Sequence, residues 1–317
     1  MRAQRHLAGV LAGVTTLTVL GGCAAQQIQA LEPKLELRDA AQQLADAQQA
    51  GFVLKLTGNP DDLVAAAGQD ADAATVAQVF NSSLTMSYDK GGAGEADDAS
   101  SLAATVDGVT GTEIRFVGGL LYVKAPVKEL AAKFGATPAD IRKLSGGASE
   151  FDALIAGQWV SLDTKELTAR AGATPDAEQQ KAAQELTTSA TNLLEGADVV
   201  RDSADDQHLI VTSSTAKAYA EAKRFATAVS PELAGKFPAE RPADKPIVLD
   251  LWIDGGKLTA AEINVLQFVD GATGRVAARL EVTGGAPIAA PEGAQKLDLS
   301  NQPYFGGKGL PGLTVGA

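Results

Sequence analysis

The sequence predicts an α+β protein in which a mostly antiparallel, curved sheet packs against several helices. Short segments alternate apolar and polar residues with the period of two that is typical of half-buried strands. Glycine-containing two-residue turns separate several of these segments, which favours antiparallel hairpins. Ala- and Leu-rich stretches lie between the strands, and a sheet that does not close on itself must bury its apolar face against such helices.

The first 22 residues have the features of a secretory signal peptide. Arg2 and Arg5 supply positive charge, and the apolar run from Leu7 to Leu20 is shorter than the roughly 20 apolar residues of a transmembrane span. The run ends in Leu-Gly-Gly-Cys, which resembles a bacterial lipobox. The resemblance implies that Cys23 becomes the acylated first residue of the mature chain. An ordinary signal peptide with a chance cysteine is the alternative.

After the signal peptide at 1–22, the predicted organisation is a tether at 23–32, a single α+β domain at 33–300 and a flexible Gly/Pro-rich tail at 301–317. A helix is expected at 33–50, because Ala, Leu and Gln dominate the stretch and Gly51 ends it. The other elements expected in the first half are a helical stretch at 59–80, strands at 52–58, 82–89, 99–108, 111–119 and 120–126, and helices at 127–134 and 137–146.

The Gly-rich segment at 90–100, KGGAGEADDAS, is expected to connect two strands of a hairpin. It lacks the Gly-Lys-Ser/Thr ending of a phosphate-binding loop and is only one imperfect copy of a calcium-binding glycine repeat. Asp70 and Asp72 do not form an EF-hand, since Ala74 stands where an oxygen ligand is needed. Gly118 and Gly119 lie between two alternating segments and predict a tight hairpin turn.

The second half is predicted to end in a three-stranded meander at 246–285, with turns at residues 254–256 and 270–272. In its first strand, Ile247, Leu249, Leu251 and Ile253 share one face, which should be buried. The opposite face carries Val248, Asp250, Trp252 and Asp254. Before the meander we expect strands at 158–163 and 208–214 and helices at 164–171, 175–195 and 215–228.

Two segments of the chain resemble each other. Residues 123–138 align without gaps to residues 160–175, and nine of sixteen positions are identical. Each reads as a strand followed by a short helix, and Thr137 and Thr174 are placed as N-caps before Pro138 and Pro175. Duplication and convergence on a good strand–helix junction both remain open.

Charge and composition exclude several functions. The formal net charge is −12 and becomes −14 when residues 1–22 are removed, which argues against nucleic acid as a partner. The mature chain keeps one histidine, His208, which we interpret as a polar residue at a strand edge, with a general base as the alternative. No serine-hydrolase elbow or zinc-protease motif is present. We therefore expect neither an enzyme, nor a metal site, nor a cofactor.

The order of these elements resembles the mycobacterial LppX/LprG-type lipoproteins, the related Lol-type carriers and a group of actinobacterial lipoproteins. The likeness spans most of residues 33–300 and includes the stretches at 119–123 and 157–160. It implies a half-barrel sheet wrapped on helices, with a cavity that binds lipids or lipoglycans for transfer across the envelope. The chain departs from that pattern in longer helical insertions at 59–80 and 175–205.

Two functions follow from this reading. The first is a lipid carrier held by acylated Cys23 on the extracytoplasmic face of the cell membrane. The second is a non-catalytic adaptor with a solid core that binds another envelope protein. A solute-binding protein is less favoured, because the alternating βα pattern of two parallel-sheet lobes is missing. The residues expected to line a lipid cavity are Leu84, Met86, Ile114, Phe116, Leu121, Val123, Ile263, Val265, Leu280 and Val282.

Overall fold

The computed structural model describes residues 24–68, 72–92, 97–144, 151–165, 191–229 and 243–297, together with residues 181, 184, 185, 188, 189 and 237. The signal peptide, Cys23, the tail at 301–317 and the second predicted N-cap at Thr174 lie outside these residues. The predicted domain boundaries and the internal repeat therefore stay predictions.

Twelve strands form one open sheet among the described residues. Its strand order is β12-β6-β5-β4-β3-β2-β1-β11-β10-β9-β8-β7, so β12 and β7 are the two edges. All neighbours pair antiparallel except β12 and β6. The strands are β1 Gln49–Gly58, β2 Ser83–Asp89, β3 Ala99–Val106, β4 Val109–Val117, β5 Leu120–Lys124, β6 Val160–Asp163, β7 Asp198–Arg201, β8 His208–Ser214, β9 Pro246–Asp254, β10 Lys257–Asn264, β11 Val276–Gly284 and β12 Gln295–Lys296.

Helices precede, interrupt and follow the strands. The predicted α+β class with an open, mostly antiparallel curved sheet is confirmed. The helices whose bounds lie within the described residues are α1 Ala24–Asp46, α2 Pro60–Ala67, α3 Ala73–Phe80, α4 Val127–Lys133, α5 Pro138–Leu144, α6 Asp152–Ile155 and α7 Thr215–Val229. A 3₁₀ turn spans Val265–Phe268, and residues 191–195 are also helical.

Several boundaries differ from the sequence-based expectation. Helix α1 already begins at Ala24, inside the predicted tether, and ends at Asp46 because β1 starts at Gln49. The single helix expected at 59–80 is two helices. Gly68 ends α2 with a φ of +67°, and the Asp72 carboxylate starts α3 by accepting the N–H groups of Ala74 and Thr75. The pKa of Asp72 is lowered, first by a hydrogen bond from the Thr75 hydroxyl and then by the two N–H groups.

The expected hairpins and the final meander are present. Gly118 and Gly119, and likewise Gly255 and Gly256, all have positive φ, as type I′ turns require. Strands β2 and β3 pair antiparallel across the Gly-rich segment at 90–100. Strands β9, β10 and β11 are consecutive neighbours in the sheet. The edge strands β7 and β12 were not expected, because four and two residues are too few to show a period.

Thr137 caps α5 as predicted. Its hydroxyl accepts the N–H of Asp140, and the Asp140 carboxylate accepts the N–H of Thr137 in return. This reciprocal pair is a capping box. In the two similar segments, Val123 and Val160 are direct neighbours on the antiparallel strands β5 and β6.

Candidate functional site: an apolar hollow on one face of the sheet

The strand register brings most of the predicted cavity residues to one face of the sheet. Phe52 of β1 pairs with Met86 of β2 and with Val282 of β11, and directly paired residues point to the same side. The same registers continue across the other strands. Nine of the ten predicted residues therefore share this face, which we call the apolar face: Leu84, Met86, Ile114, Phe116, Leu121, Val123, Ile263, Leu280 and Val282.

The tenth residue, Val265, is not a strand residue, so its expected place beside Ile263 on an alternating strand was wrong. Strand β10 ends at Asn264, whose side-chain carbonyl accepts the N–H of Leu266 and starts the 3₁₀ turn. The turn breaks the period of two that placed Val265 beside Ile263. Leu266 takes the buried position instead.

One end of the apolar face is closed by α1. Leu37 and Ala40 of that helix pack against Leu209, Leu251 and Ile253 in a cluster of buried side chains. Leu251 and Ile253 confirm the face assigned to the first meander strand, whereas Ile247 and Leu249 of the same face are half-buried. The cluster explains why α1 is helical, since small and aliphatic residues three apart on it meet the sheet.

The other end of the apolar face is covered by α6 and the last described residues. Ala153, Val160 and Leu297 are buried together, and Val123 and Leu162 pack against them. Leu297 lies beside Val160 because it directly follows β12, and β12 pairs with β6.

Between the two covered ends lies a hollow of about 450 Å³. Every residue of β2 is only half-buried, and Leu54 on β1 and Phe116 on β4 are 39% and 40% exposed. We call this region the central hollow. Its lining comes from four adjacent strands and consists of Phe52, Met86, Ser87, Tyr88, Ser100, Ser101 and Leu280.

The last turn of α1 forms a polar border of the central hollow. The Tyr88 hydroxyl donates to the carbonyl oxygen of Leu44 at 3.0 Å, and Lys90 Nζ donates to that of Ala45 at 2.8 Å. These bonds satisfy carbonyl groups that a helix C-terminus leaves open. Burial raises the pKa of Tyr88. The hollow therefore has apolar walls and a hydroxyl-rich border.

A larger concavity of about 620 Å³ lies beside α7, but it is a different kind of feature. Its lining residues all belong to that one helix, with Tyr219, Lys223 and Arg224 among them. Arg224 pairs with Glu185 and Glu221. The concavity runs along one charged helix, whereas the central hollow lies on the apolar face of the sheet.

The opposite face of the sheet carries a network of ion pairs, which we call the polar network. Asp250 and Glu262 are neighbours on β9 and β10 and are only 9% and 7% exposed. Arg275 joins them, with its Nη2 2.9 Å from Asp250, and Arg279 lies 3.0 Å from Glu262. Hydrogen bonds from Arg275 to Asp250 and Glu262 raise the pKa of Arg275. Buried charges need such pairing to be tolerated.

His208 belongs to the polar network, which its interpretation as a strand-edge polar residue missed. Its Nδ1 lies 3.0 Å from Asp202 and its Nε2 lies 3.0 Å from Asp250. Alternation along β9 predicts that Asp250 and Trp252 share one face. Their contact with His208 depends on the pairing of β8 with β9, which sets His208 opposite Trp252 and which no local pattern predicts. Because carboxylates occupy both ring nitrogens, neither is available to act as a general base.

The described residues hold neither a cluster of metal ligands nor a helix suited to a membrane. Among them, no group of three or more His, Cys, Asp or Glu side chains is arranged to hold a metal ion. In the same part of the chain, no helix is both long enough and apolar enough to cross a membrane.

The fold and the hollow define the protein as an open α+β half-barrel with an apolar concavity on one face. No family model and no curated protein matches the sequence. Two mycobacterial lipoproteins are among the solved structures that are similar to it. The lipoprotein LppX of Mycobacterium tuberculosis is 14% identical with a TM-score of 0.34, over 81% of this chain and 97% of LppX. LprF of Mycobacterium bovis is 12% identical with a TM-score of 0.35, over 83% of this chain and 97% of LprF.

The resemblance to LppX-type lipoproteins stated from the sequence is therefore found again among solved structures. At these identities and TM-scores, no residue role passes from either protein to this one. The functional argument depends on the geometry of the chain itself.

Proposed function

We propose that the protein is a membrane-anchored extracytoplasmic lipoprotein that binds the acyl part of a lipid in the central hollow. The observation that carries this proposal is the hollow itself, about 450 Å³ in volume and open between two clusters of buried side chains. Phe52, Met86 and Leu280 line it, and none of them is buried. Aliphatic and aromatic walls of this kind are typical of sites for apolar ligands.

Burial of apolar surface is the expected driving force. It contributes about 25 cal/mol per Å² removed from water, or about 0.8 kcal/mol for each buried methylene. An acyl chain would cover the side chains of Met86, Leu54 and Phe116, which the described helices leave partly exposed. The Tyr88 and Ser100 hydroxyls at the border suit the polar end of the lipid.

Acylation of Cys23 would hold this domain at the membrane. Two or more acyl chains give stable anchoring, since a single chain binds only marginally. The mature charge of −14 gives no attraction to anionic lipid heads, so the anchor must supply the affinity. The lipobox supports this assignment.

The adaptor alternative expects a solid core on the apolar face. The clusters beneath α1 and α6 fit a solid core, but the half-buried strand β2 between them does not. The hollow therefore favours lipid or lipoglycan as the partner over a second envelope protein.

Organic extracts of the protein purified from its own membranes test the proposal, with mass spectrometry as the readout. We expect one lipid class to copurify in stoichiometric amount after the covalent anchor is accounted for. A long-chain fluorescent fatty acid should also bind saturably. An extract without lipid, together with no saturable binding of the probe, would overturn the proposal and leave the adaptor.

A further inference from the structure

The ring of His208 joins two segments that are far apart in sequence. Asp202 lies in the turn between β7 and β8, and Asp250 lies in the middle of β9. Both carboxylates are 3.0 Å from a ring nitrogen, and the His208 side chain is 14% exposed. The ring also stacks on the indole of Trp252, so its orientation is fixed from a third side.

This geometry suits the charged ring. Both nitrogens of an imidazole can donate hydrogen bonds only when the ring is protonated. A neutral ring must turn one lone pair toward a carboxylate, which replaces a hydrogen bond with a repulsive contact. One of the two carboxylates then loses its partner on His208.

The charges of the polar network lead to the same conclusion. Its four carboxylates, Asp202, Asp250, Glu262 and Glu281, face three permanent cations. These cations are Lys55, Arg275 and Arg279. The network is balanced when His208 carries a charge and has one excess negative charge when it does not. This excess charge is costly because two of the carboxylates, Asp250 and Glu262, are buried.

The turn that holds Asp202 also holds α1. Arg201, the last residue of β7, pairs with Glu36 of α1 and donates to the carbonyl oxygen of Asp206 in the turn. Helix α1 in turn covers one end of the apolar face and borders the central hollow. Asp202 follows Arg201 in the chain, and Arg201 bonds Glu36, so a change at Asp202 can reach α1 through Arg201.

We propose that His208 is a pH-dependent latch that holds the β7–β8 turn and α1 against the sheet when charged and releases them when neutral. Asp202 faces the ring from the turn and Asp250 faces it from β9. The further carboxylates of these elements are Asp205, Asp206 and Asp254, of which Asp254 accepts a hydrogen bond from Gln207. Arg275, the residue before β11, bonds Asp250. Arg279 of β11 lies over the indole of Trp252. Release of α1 would remove one border of the central hollow, and the effect of this on a ligand depends on the proposed lipid binding.

Hydrogen exchange of the mature protein in detergent tests the latch without reference to lipid. Histidine changes its charge between about pH 5 and 8, and His208 is the one histidine of the mature chain. After correction for intrinsic rates, we expect protection at 198–207 and at 33–46 to fall as pH rises through the ring titration followed by NMR. His208→Gln should remove this pH dependence.

Two carboxylate variants make the result specific. Asp202→Asn removes one partner of the ring and should weaken the pH dependence of exchange at 198–207, whereas Asp206→Asn changes an exposed neighbour and should leave that pH dependence in place. If the ring titrates and the exchange at 198–207 does not change, the latch is wrong. The same holds if His208→Gln keeps the wild-type pH dependence. Lipid binding that persists in either case would leave the proposed function intact.

Discussion

The imidazole of His208 lies flat on the indole of Trp252, with ring centroids 4.7 Å apart and an angle of 9° between the planes. The guanidinium of Arg279 covers the same indole at 4.8 Å. Trp252 thus contacts both the imidazole and the guanidinium, and each of these groups also bonds a carboxylate. The sheet consequently has one apolar face and an opposite face that carries paired charges.

Leu251→Asp should unfold the protein. Leu251 is 5% exposed and packs beneath α1, so the new carboxylate would have no partner in an apolar cluster. The expected cost is about 3–5 kcal/mol, measured by chemical denaturation. Val200→Asp places the same charge on an exposed edge residue and should change stability little. Equal stability of the two variants would contradict the assignment of the buried face.

Met86→Trp should block the central hollow while the fold stays intact. Met86 lines the hollow, and the larger indole would occupy space that an acyl chain needs. We expect binding of a fluorescent fatty acid to weaken about tenfold, or ~1.4 kcal/mol.

Thr85→Trp is the matched control, because Thr85 precedes Met86 on β2 and points to the opposite face. It should leave fatty-acid binding unchanged. Loss of binding in both variants, or in neither, would place the ligand elsewhere.

Glu262→Gln should destabilise the protein more than Glu281→Gln. Both carboxylates bond Arg279, but Glu262 is buried and also serves Arg275, whereas Glu281 is more exposed. Loss of a buried charged partner costs about 1–3 kcal/mol. Urea denaturation of the two variants measures the difference, and the reverse order would show that the network contributes little to stability.

The β7–β8 turn should lose protection against hydrogen exchange at pH values below the ordinary aspartate range, which lie below the range in which histidine changes its charge. Hydrogen bonds hold the pKa of Asp202 below its usual value. The larger effect comes from the N–H of Ala204 and the next from the ring of His208. A lowered pKa stabilises the fold above the ordinary aspartate range, and this contribution is lost as pH falls through the lowered value. Hydrogen exchange at 198–207 should therefore accelerate in acid for the wild type. Asp202→Asn should show a weaker acid response, and an identical response would remove Asp202 as the cause.

Cys23→Ala should release the protein from the membrane. The thiol is the predicted site of acylation, and the mature net charge of −14 provides no substitute for the anchor. Immunoblots of membrane and culture-supernatant fractions measure the distribution. Unchanged membrane retention would contradict the lipobox assignment.

The sequence by itself determined the strands of the meander, its Gly255-Gly256 turn and the buried position of Leu251. Each of these is local, since a period of two and a turn that requires positive φ are encoded within a few residues. Alternation also placed nine of the ten residues predicted for a cavity wall on one face, and two of them, Met86 and Leu280, line the central hollow. It failed at Val265, where the Asn264 cap ends the strand.

Tertiary structure alone decided which part of the apolar face is covered and which is open. Leu251 and Met86 both lie on alternating strands, yet α1 buries the first and the second lines a hollow. The polar network is likewise a product of register, because it joins residues from Lys55 to Glu281 across five strands. Pairing between strands distant in the chain fixes these contacts, and no local pattern of residues records that pairing.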